Sequence, residues 1–125
     1  MTINELKELH PELKEKEEEY VAFSKLKENK KCLQYSGVYI LTDGDEVIYI
    51  GSSYARKLRD RLMQYQRNND SGNTLKKDLI DMGKITAEDA VGFIEKLTIH
   101  GFMDESLEYK LIKTAELEIA NKNGK

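Results

Sequence analysis

The segment that most constrains the fold is GVYILTDGDEVIYIGSS, residues 37–53. Two runs rich in Val, Ile and Tyr flank the tripeptide DGD, a pattern that predicts a β-hairpin with Gly44 in its tight turn. A hairpin needs glycine only in the turn, yet Gly37 and Gly51 stand at the outer ends of these strands. Because antiparallel strands bring both outer ends together, we expect an open edge there that backbone or phosphate can approach closely.

The residues before the hairpin have helical patterns. Thr2 and Glu5 have the spacing of a capping box, and leucines follow at helical intervals. Residues 11–31 form an interrupted apolar face beside a run of glutamates, which predicts a second helix with that run in solvent. We therefore expect an N-terminal helical extension, residues 1–34, packed on a domain formed by residues 35–125.

The residues after the hairpin predict three further helices and one strand. Residues 55–65 have helical spacing, and residues 74–83 predict a short helix with Thr74 as a possible cap and Gly83 as its stop. Residues 91–99 read as a third strand, and residues 105–120 form a last amphipathic helix. The fold class predicted is α+β, a small, mainly antiparallel three-stranded sheet flanked by helices.

Charge is distributed unevenly along this chain of 125 residues. The net charge is −3, which by itself argues against a nucleic-acid binder. Residues 49–84, however, contain 8 Lys or Arg against 4 Asp or Glu, and all four arginines lie among them. The stretch after the hairpin is thus the part of the chain suited to phosphate.

The cysteine count and the length of the apolar stretches indicate the kind of cellular compartment to expect. Cys32 is the single cysteine, which excludes an internal disulfide and fits a reducing, cytoplasmic location. No stretch approaches the roughly 18 apolar residues of a membrane span, and no signal-peptide pattern opens the chain. We expect no membrane partner.

The order of motifs resembles the GIY-YIG nuclease domain, a family of homing endonucleases, some restriction enzymes and the incision nuclease of bacterial excision repair. GVY at residues 37–39 and YIG at residues 49–51 are similar to its two signature tripeptides. LRDRLMQY resembles its L-x-x-R-L-x-x-Y run, with Arg61 at the arginine and Tyr65 one turn later. EYKLIK resembles its late E-x-x-L-I-K run and begins at Glu108. An asparagine follows, and the resemblance spans about residues 35–123.

The resemblance implies an endonuclease that hydrolyses DNA with Mg²⁺ or Mn²⁺. Its catalytic residues would be Tyr39, Tyr49, Arg61 and Glu108, with Glu108 as the metal ligand. A carboxylate oxygen is a hard ligand that suits Mg²⁺ with its retained waters. The arginine fork binds phosphate and stays charged at any working pH. A phenol with a pKa near 10 is a poor base at neutral pH and would need help from the metal or a cation.

Several assignments stay open. Two residues lie in excess between YIG and Arg61, so without an insertion Arg59 takes the arginine position. Ser52 and Ser53 stand where some members have lysine, and Lys57 is a substitute. The asparagine is Asn121 or Asn123. Supporting roles are expected for Arg59, Tyr65, Lys57, Ser52, Asn121, Gly37 and Gly51. Nucleic-acid contacts are expected from Arg56, Arg59, Arg67, Lys76 and Lys77.

Two function classes compete. The first is a stand-alone catalytic module, targeted to DNA through a homodimer or another partner, of the kind found in phages, mobile elements, defence or repair systems. The second is a non-catalytic nucleic-acid-binding or adaptor protein that keeps the fold.

Overall fold

The computed structural model describes residues 1–53, 55–65, 79–81, 83, 86 and 88–103. Within them the chain forms an antiparallel sheet with helices packed on both faces, so the predicted α+β class is confirmed. The elements in chain order are α1 (Ile3–Leu9), α2 (Glu12–Glu15), β1 (Glu18–Ala22), a 3₁₀ turn (Phe23–Lys25), β2 (Gly37–Asp43), β3 (Glu46–Ser53), α3 (Leu58–Tyr65), α4 (Ala90–Glu95) and β4 (Thr98–Phe102). Residues 79–81 are also helical. None of the helices described here is long and apolar enough to cross a membrane.

Within the described residues the sheet has four strands in the order β1-β4-β2-β3, one more than the three that were predicted. The predicted hairpin is present as β2 and β3, paired from Gly37 opposite Ser53 to Asp43 opposite Glu46. Gly44 occupies its turn with a φ of 61°, a left-handed conformation that glycine adopts without strain. The other neighbour of β2 is β4, which joins the hairpin to the edge strand β1.

The additional strand is β1, and it lies where a continuous helix was predicted over residues 11–31. Helix α2 stops at Glu15, and Glu18–Ala22 pairs along its whole length with β4. The glutamate run is therefore not simply the solvated side of a helix. Glu18 and Glu19 point to opposite faces of the sheet, and each carboxylate accepts hydrogen bonds there. Tertiary pairing overrides the local helical preference of this segment.

The strand predicted over residues 91–99 is also corrected. Residues Ala90–Glu95 form α4, and β4 begins only at Thr98. Ile94 and Leu97 are both buried at a spacing of three, which is a helical spacing. A short run of apolar β-branched and aromatic residues does not distinguish a strand from a buried helix.

Alternation along the strands divides the core into two clusters. The front face of the sheet, defined by Tyr39, Leu41 and Ile99, packs against α3 and α4. The back face, defined by Val38, Ile40 and Phe102, is covered by side chains of α1 and α2, which are Ile3, Leu6 and Leu13. The two N-terminal helices thus lie on the opposite side of the sheet from α3.

Hydrogen bonds cap the start of helix α1 and attach the start of the chain to the hairpin turn. The predicted capping box is present, since Glu5 N donates to Thr2 Oγ1 and Thr2 N donates to Glu5 Oε1. The Met1 ammonium donates to Glu46 Oε1 at 2.9 Å, and Ile3 N donates to Asp45 O at 2.8 Å. The amides of Ile3 and Glu5 are helix N-terminal donors that would otherwise lack partners, and the Met1 contact adds an ion pair to the hairpin.

Candidate active site

Two tyrosines form the centre of the candidate site on the front face. Tyr39 on β2 and Tyr49 on β3 are diagonal neighbours, because Tyr39 pairs with Gly51 and Leu41 pairs with Tyr49. Their rings stack with centroids 6.3 Å apart and planes 21° apart. Tyr39 is only 2% exposed, whereas Tyr49 is half-buried. Of the two phenols, Tyr49 is therefore the more accessible to a ligand.

Gly51 has a packing role that the sequence did not indicate. A Cβ placed on Gly51 would overlap the hydroxyl and ring of Tyr39. The missing side chain therefore admits the neighbouring phenol, where we had expected it to admit a phosphate or backbone. Tyr39 also pairs with Gly101 on its other side, and a Cβ there would overlap Leu33 and crowd the Tyr35 hydroxyl. Glycines on both neighbouring strands thus make room for this part of the front face. Gly37 is buried and pairs with Ser53 at the end of the hairpin.

The turn from β3 to α3 is closed by serine hydroxyls. Ser53 Oγ donates to Arg56 O at 2.6 Å, and Ser36 Oγ donates to the same carbonyl at 3.2 Å. Ser52 is half-buried opposite Val38. The side chains of Arg56 and Lys57 are exposed just before α3. Exposed positive charge therefore directly precedes α3.

Helix α3 lies on the front face with the two tyrosines. Leu58 and Leu62 are fully buried in the same cluster as Tyr39, with Tyr49 packed against it. Arg61 is half-buried, and its Nη1 donates to Gln64 Oε1 at 3.3 Å. Tyr65 is the last residue of α3, and its side chain lies outside the described part of the structure.

Arg59, the competing arginine, is bound to backbone carbonyls. Its Nη1 donates to Leu26 O at 2.6 Å and to Asn29 O at 2.7 Å, and its Nη2 donates to Lys27 O at 3.2 Å. The same Nη1 lies 3.9 Å from Cys32 Sγ. Burial raises the pKa of the Cys32 thiol, and the adjacent guanidinium only partly opposes this. The Arg59 guanidinium is committed to the loop that precedes the hairpin.

The remaining predicted site residues lie outside the described residues. They are Glu108, Asn121, Asn123, Arg67, Lys76 and Lys77. Among the residues that the structure does describe, no group of three or more His, Cys, Asp or Glu side chains is arranged to hold a metal ion.

A second polar cluster lies on the back face, away from the tyrosines. Glu18 accepts from Lys7 Nζ at 2.6 Å and from His100 Nδ1 at 2.6 Å. The other ring nitrogen of His100 lies 3.1 Å from Oγ1 of the fully buried Thr42. Burial favours the neutral acid, but the hydrogen bonds from Lys7 and His100 outweigh it, so the pKa of Glu18 is lowered. This chain links α1, β1, β4 and β2, and it holds the N-terminal segment to the sheet.

The sequence from the hairpin onward is that of a nuclease-type domain. The sequence model of the GIY-YIG catalytic domain matches residues 35–123, and the chain belongs to that family. Members of the family are generally endonucleases, typically dependent on a divalent metal, and a nuclease domain implies DNA as the substrate. No curated protein and no solved structure gave a significant match.

Proposed function

We propose that this protein is a divalent-metal-dependent endonuclease that hydrolyses DNA phosphodiester bonds, acting as a stand-alone catalytic module. The observation behind this is the stacked pair of Tyr39 and Tyr49, which shares one face of the sheet with α3 inside the family-matched residues. Phosphodiester hydrolysis requires positioning of an attacking water and neutralisation of charge that develops on the phosphate.

We assign the phosphate-binding role to Arg61 and not to Arg59. The Arg59 guanidinium already donates to three backbone carbonyls, and it would have to give up hydrogen bonds to them in order to bind a phosphate. Arg61 lies two residues further along α3 and is half-buried. Its planar fork can hold a phosphate through two parallel hydrogen bonds.

The two phenols have different roles in this proposal. Tyr49, the more accessible phenol, orients the attacking water and accepts a hydrogen bond from it. Tyr39 supports it from the side, because its ring is stacked on Tyr49 and held in the space above Gly51. A phenol keeps its proton at neutral pH, so proton removal from the water must be aided by positive charge nearby.

The cation would be held by Glu108, together with water and the oxygens of the scissile phosphate. Within the part of the chain described here no competing carboxylate cluster exists, and one carboxylate with several waters is the kind of donor set that Mg²⁺ accepts. A divalent ion so bound would supply a Lewis acid for the phosphate and lower the pKa of a bound water.

DNA would reach the site along the basic stretch after the hairpin. Arg56 and Lys57 are exposed at the start of α3. We propose that they contact the DNA backbone with Arg67, Lys76 and Lys77, which would make binding weaken as salt rises. Targeting to particular DNA would then come from a second copy of the chain or another partner.

The test is cleavage of supercoiled plasmid by purified protein in Mg²⁺, in Mn²⁺ and in EDTA. We expect nicked or linear DNA with either metal, none in EDTA, and none from Glu108→Gln, which removes the charge and keeps the size. Cleavage that persists in Glu108→Gln would contradict the metal assignment. DNA binding with no cleavage in any metal would instead favour the non-catalytic nucleic-acid-binding or adaptor protein.

A further inference from the structure

The guanidinium of Arg59 closes a helical turn that belongs to the N-terminal segment. The three carbonyls that it binds, those of Leu26, Lys27 and Asn29, follow the 3₁₀ turn at Phe23–Lys25. Leu26 O and Asn29 O also accept weak bonds from the amides of Asn29 and Cys32, each at 3.2 Å. A basic side chain commonly adds hydrogen bonds to carbonyls at the end of a helical turn. Arg59 thus ties α3 to residues that precede the family-matched domain.

The backbone at the start of α3 is held by the same segment. Leu58 N donates to Tyr35 O at 2.8 Å, and Arg59 N donates to Leu33 O at 3.0 Å. Leu33 has a φ of 58°, a left-handed conformation that is strained for a residue with a branched side chain. Its side chain is fully buried in the space above Gly101. Such a conformation persists only where the surroundings fix it from several sides.

Glu19 on β1 also fixes Leu33, in addition to the hydrogen bond from Arg59 N and the packing of the Leu33 side chain over Gly101. Leu33 N donates to both carboxylate oxygens of Glu19, at 3.3 and 3.4 Å. Burial, followed by the charge of Glu19 and a hydrogen bond to it, raises the pKa of the Tyr35 phenol. The Glu19 carboxylate therefore holds Leu33, whose carbonyl receives the Arg59 amide at the start of α3.

We infer that Glu19 and Arg59 are positioning residues that orient Arg61. They act through a set of contacts that we call the brace, which consists of Glu19, Leu33, Tyr35 and Arg59 with the carbonyls that Arg59 binds. Helix α3 has eight residues, too few to be stable without outside contacts. Its first turn leads directly into Arg61, whose amide donates to Lys57 O. A shift at the start of α3 therefore moves the Arg61 guanidinium. The consequence for cleavage rests on the function proposed above, whereas the orientation of Arg61 does not.

The brace extends the site beyond the family-matched residues 35–123. Glu19, Leu33 and the carbonyl groups bound by Arg59 all precede residue 35. The sequence signal for it was indirect, consisting of a glutamate in an apparently solvated run and an arginine beside the family's own.

The test uses the full chain with Arg59→Lys and Glu19→Gln, and Lys31→Gln as the control. A lysine keeps the charge at 59 but cannot bind three carbonyls at once, and a glutamine at 19 keeps the shape but weakens the bond to Leu33 N. Lys31 is exposed in the same loop, so its change removes one positive charge and leaves the brace intact. Thermal unfolding confirms that each variant is folded at the assay temperature.

Two readouts separate positioning from stability and from DNA contact. In both brace variants we expect faster hydrogen exchange at the amides of Leu58 and Arg59 and a changed Nε–Hε resonance of Arg61. We expect kcat to fall by about tenfold to a hundredfold, as for a misplacement on the order of 1 Å, with KM for DNA within about twofold of the wild type. Lys31→Gln should change none of these.

Folded brace variants with an unchanged Arg61 resonance or an unchanged kcat would overturn the inference. A raised KM and a shallower salt dependence of binding in Arg59→Lys would also overturn it, because they would make Arg59 a DNA contact. If the wild type cleaves nothing, the proposed function fails, and the Arg61 resonance then decides the brace on its own. If Arg59→Lys does not fold, Glu19→Gln decides.

Discussion

Tyr39 fills the space that a side chain at Gly51 would occupy, so the two residues form one packing unit across β2 and β3. The same ring stacks on Tyr49. The conformation of the accessible phenol therefore depends on a glycine two residues further along its own strand.

The first prediction concerns Gly51→Ala. The added methyl group would force Tyr39 out of its place in a packed core, so we expect a loss of about 1–3 kcal/mol in the free energy of unfolding. Urea unfolding at neutral pH measures it. Gly92→Ala is the matched control, because nothing lies within 4 Å of a Cβ at that exposed helical position. The control should be neutral or more stable by about 0.5–1 kcal/mol. Equal stability of the two variants would contradict the packing unit.

The second prediction concerns Tyr49→Phe. The ring and its stacking on Tyr39 remain, and only the hydroxyl is lost, so we expect the variant to fold and to bind DNA as the wild type does. Because the role proposed for the hydroxyl is to orient the attacking water, kcat should fall by about a hundredfold or more. Single-turnover cleavage of a labelled duplex measures it.

Tyr20→Phe is the matched control for that change. Tyr20 is 74% exposed on β1, and the loss of its hydroxyl should leave kcat unchanged. Wild-type cleavage by Tyr49→Phe would remove Tyr49 from the reaction and leave it a packing residue.

How far the sequence could predict this structure depends on where the partners lie. The hairpin, the capping box at Thr2 and helix α3 follow from residues close together in the chain, and all three are present. Strand β1 could not be predicted in this way, because its partner β4 is about 80 residues away and its own residues favour a helix. The family motifs indicated which residues to consider for the site. The commitment of Arg59 to carbonyl groups, in contrast, depends on a loop fold that no local pattern indicates.

The third prediction concerns Glu18 and acid. Its folded pKa is lowered from an ordinary value of 4.5, so the carboxylate stabilises the fold above that pH, and this contribution is lost as the pH falls through the folded pKa. Glu18→Gln should lower the free energy of unfolding at pH 7 by about 1 kcal/mol, because the bonds from Lys7 and His100 weaken at a partly exposed site. Urea unfolding should show the gap to the wild type closing between pH 4.5 and pH 3, values chosen around the ordinary carboxyl pKa.

Glu15→Gln provides the comparison for Glu18. Glu15 is exposed at the end of α2, and its change should cost little at any pH. If the difference in the free energy of unfolding between the wild type and Glu18→Gln stays constant down to pH 3, Glu18 contributes through packing and not through its charge.

The last prediction concerns the division of the chain at residue 35. A chain of residues 35–125 would lose β1 and expose the edge of β4, and it would also uncover the back face where Leu6 and Leu13 are fully buried. It would lack the Glu19 contact and the carbonyls that bind Arg59 as well. We therefore expect aggregation or a poorly dispersed NMR spectrum from residues 35–125, and a cooperative unfolding transition only from the full chain. A well-dispersed spectrum from the shorter chain would show that the N-terminal segment is an accessory to a domain that folds without it, and the brace would then stabilise α3 without being required for folding.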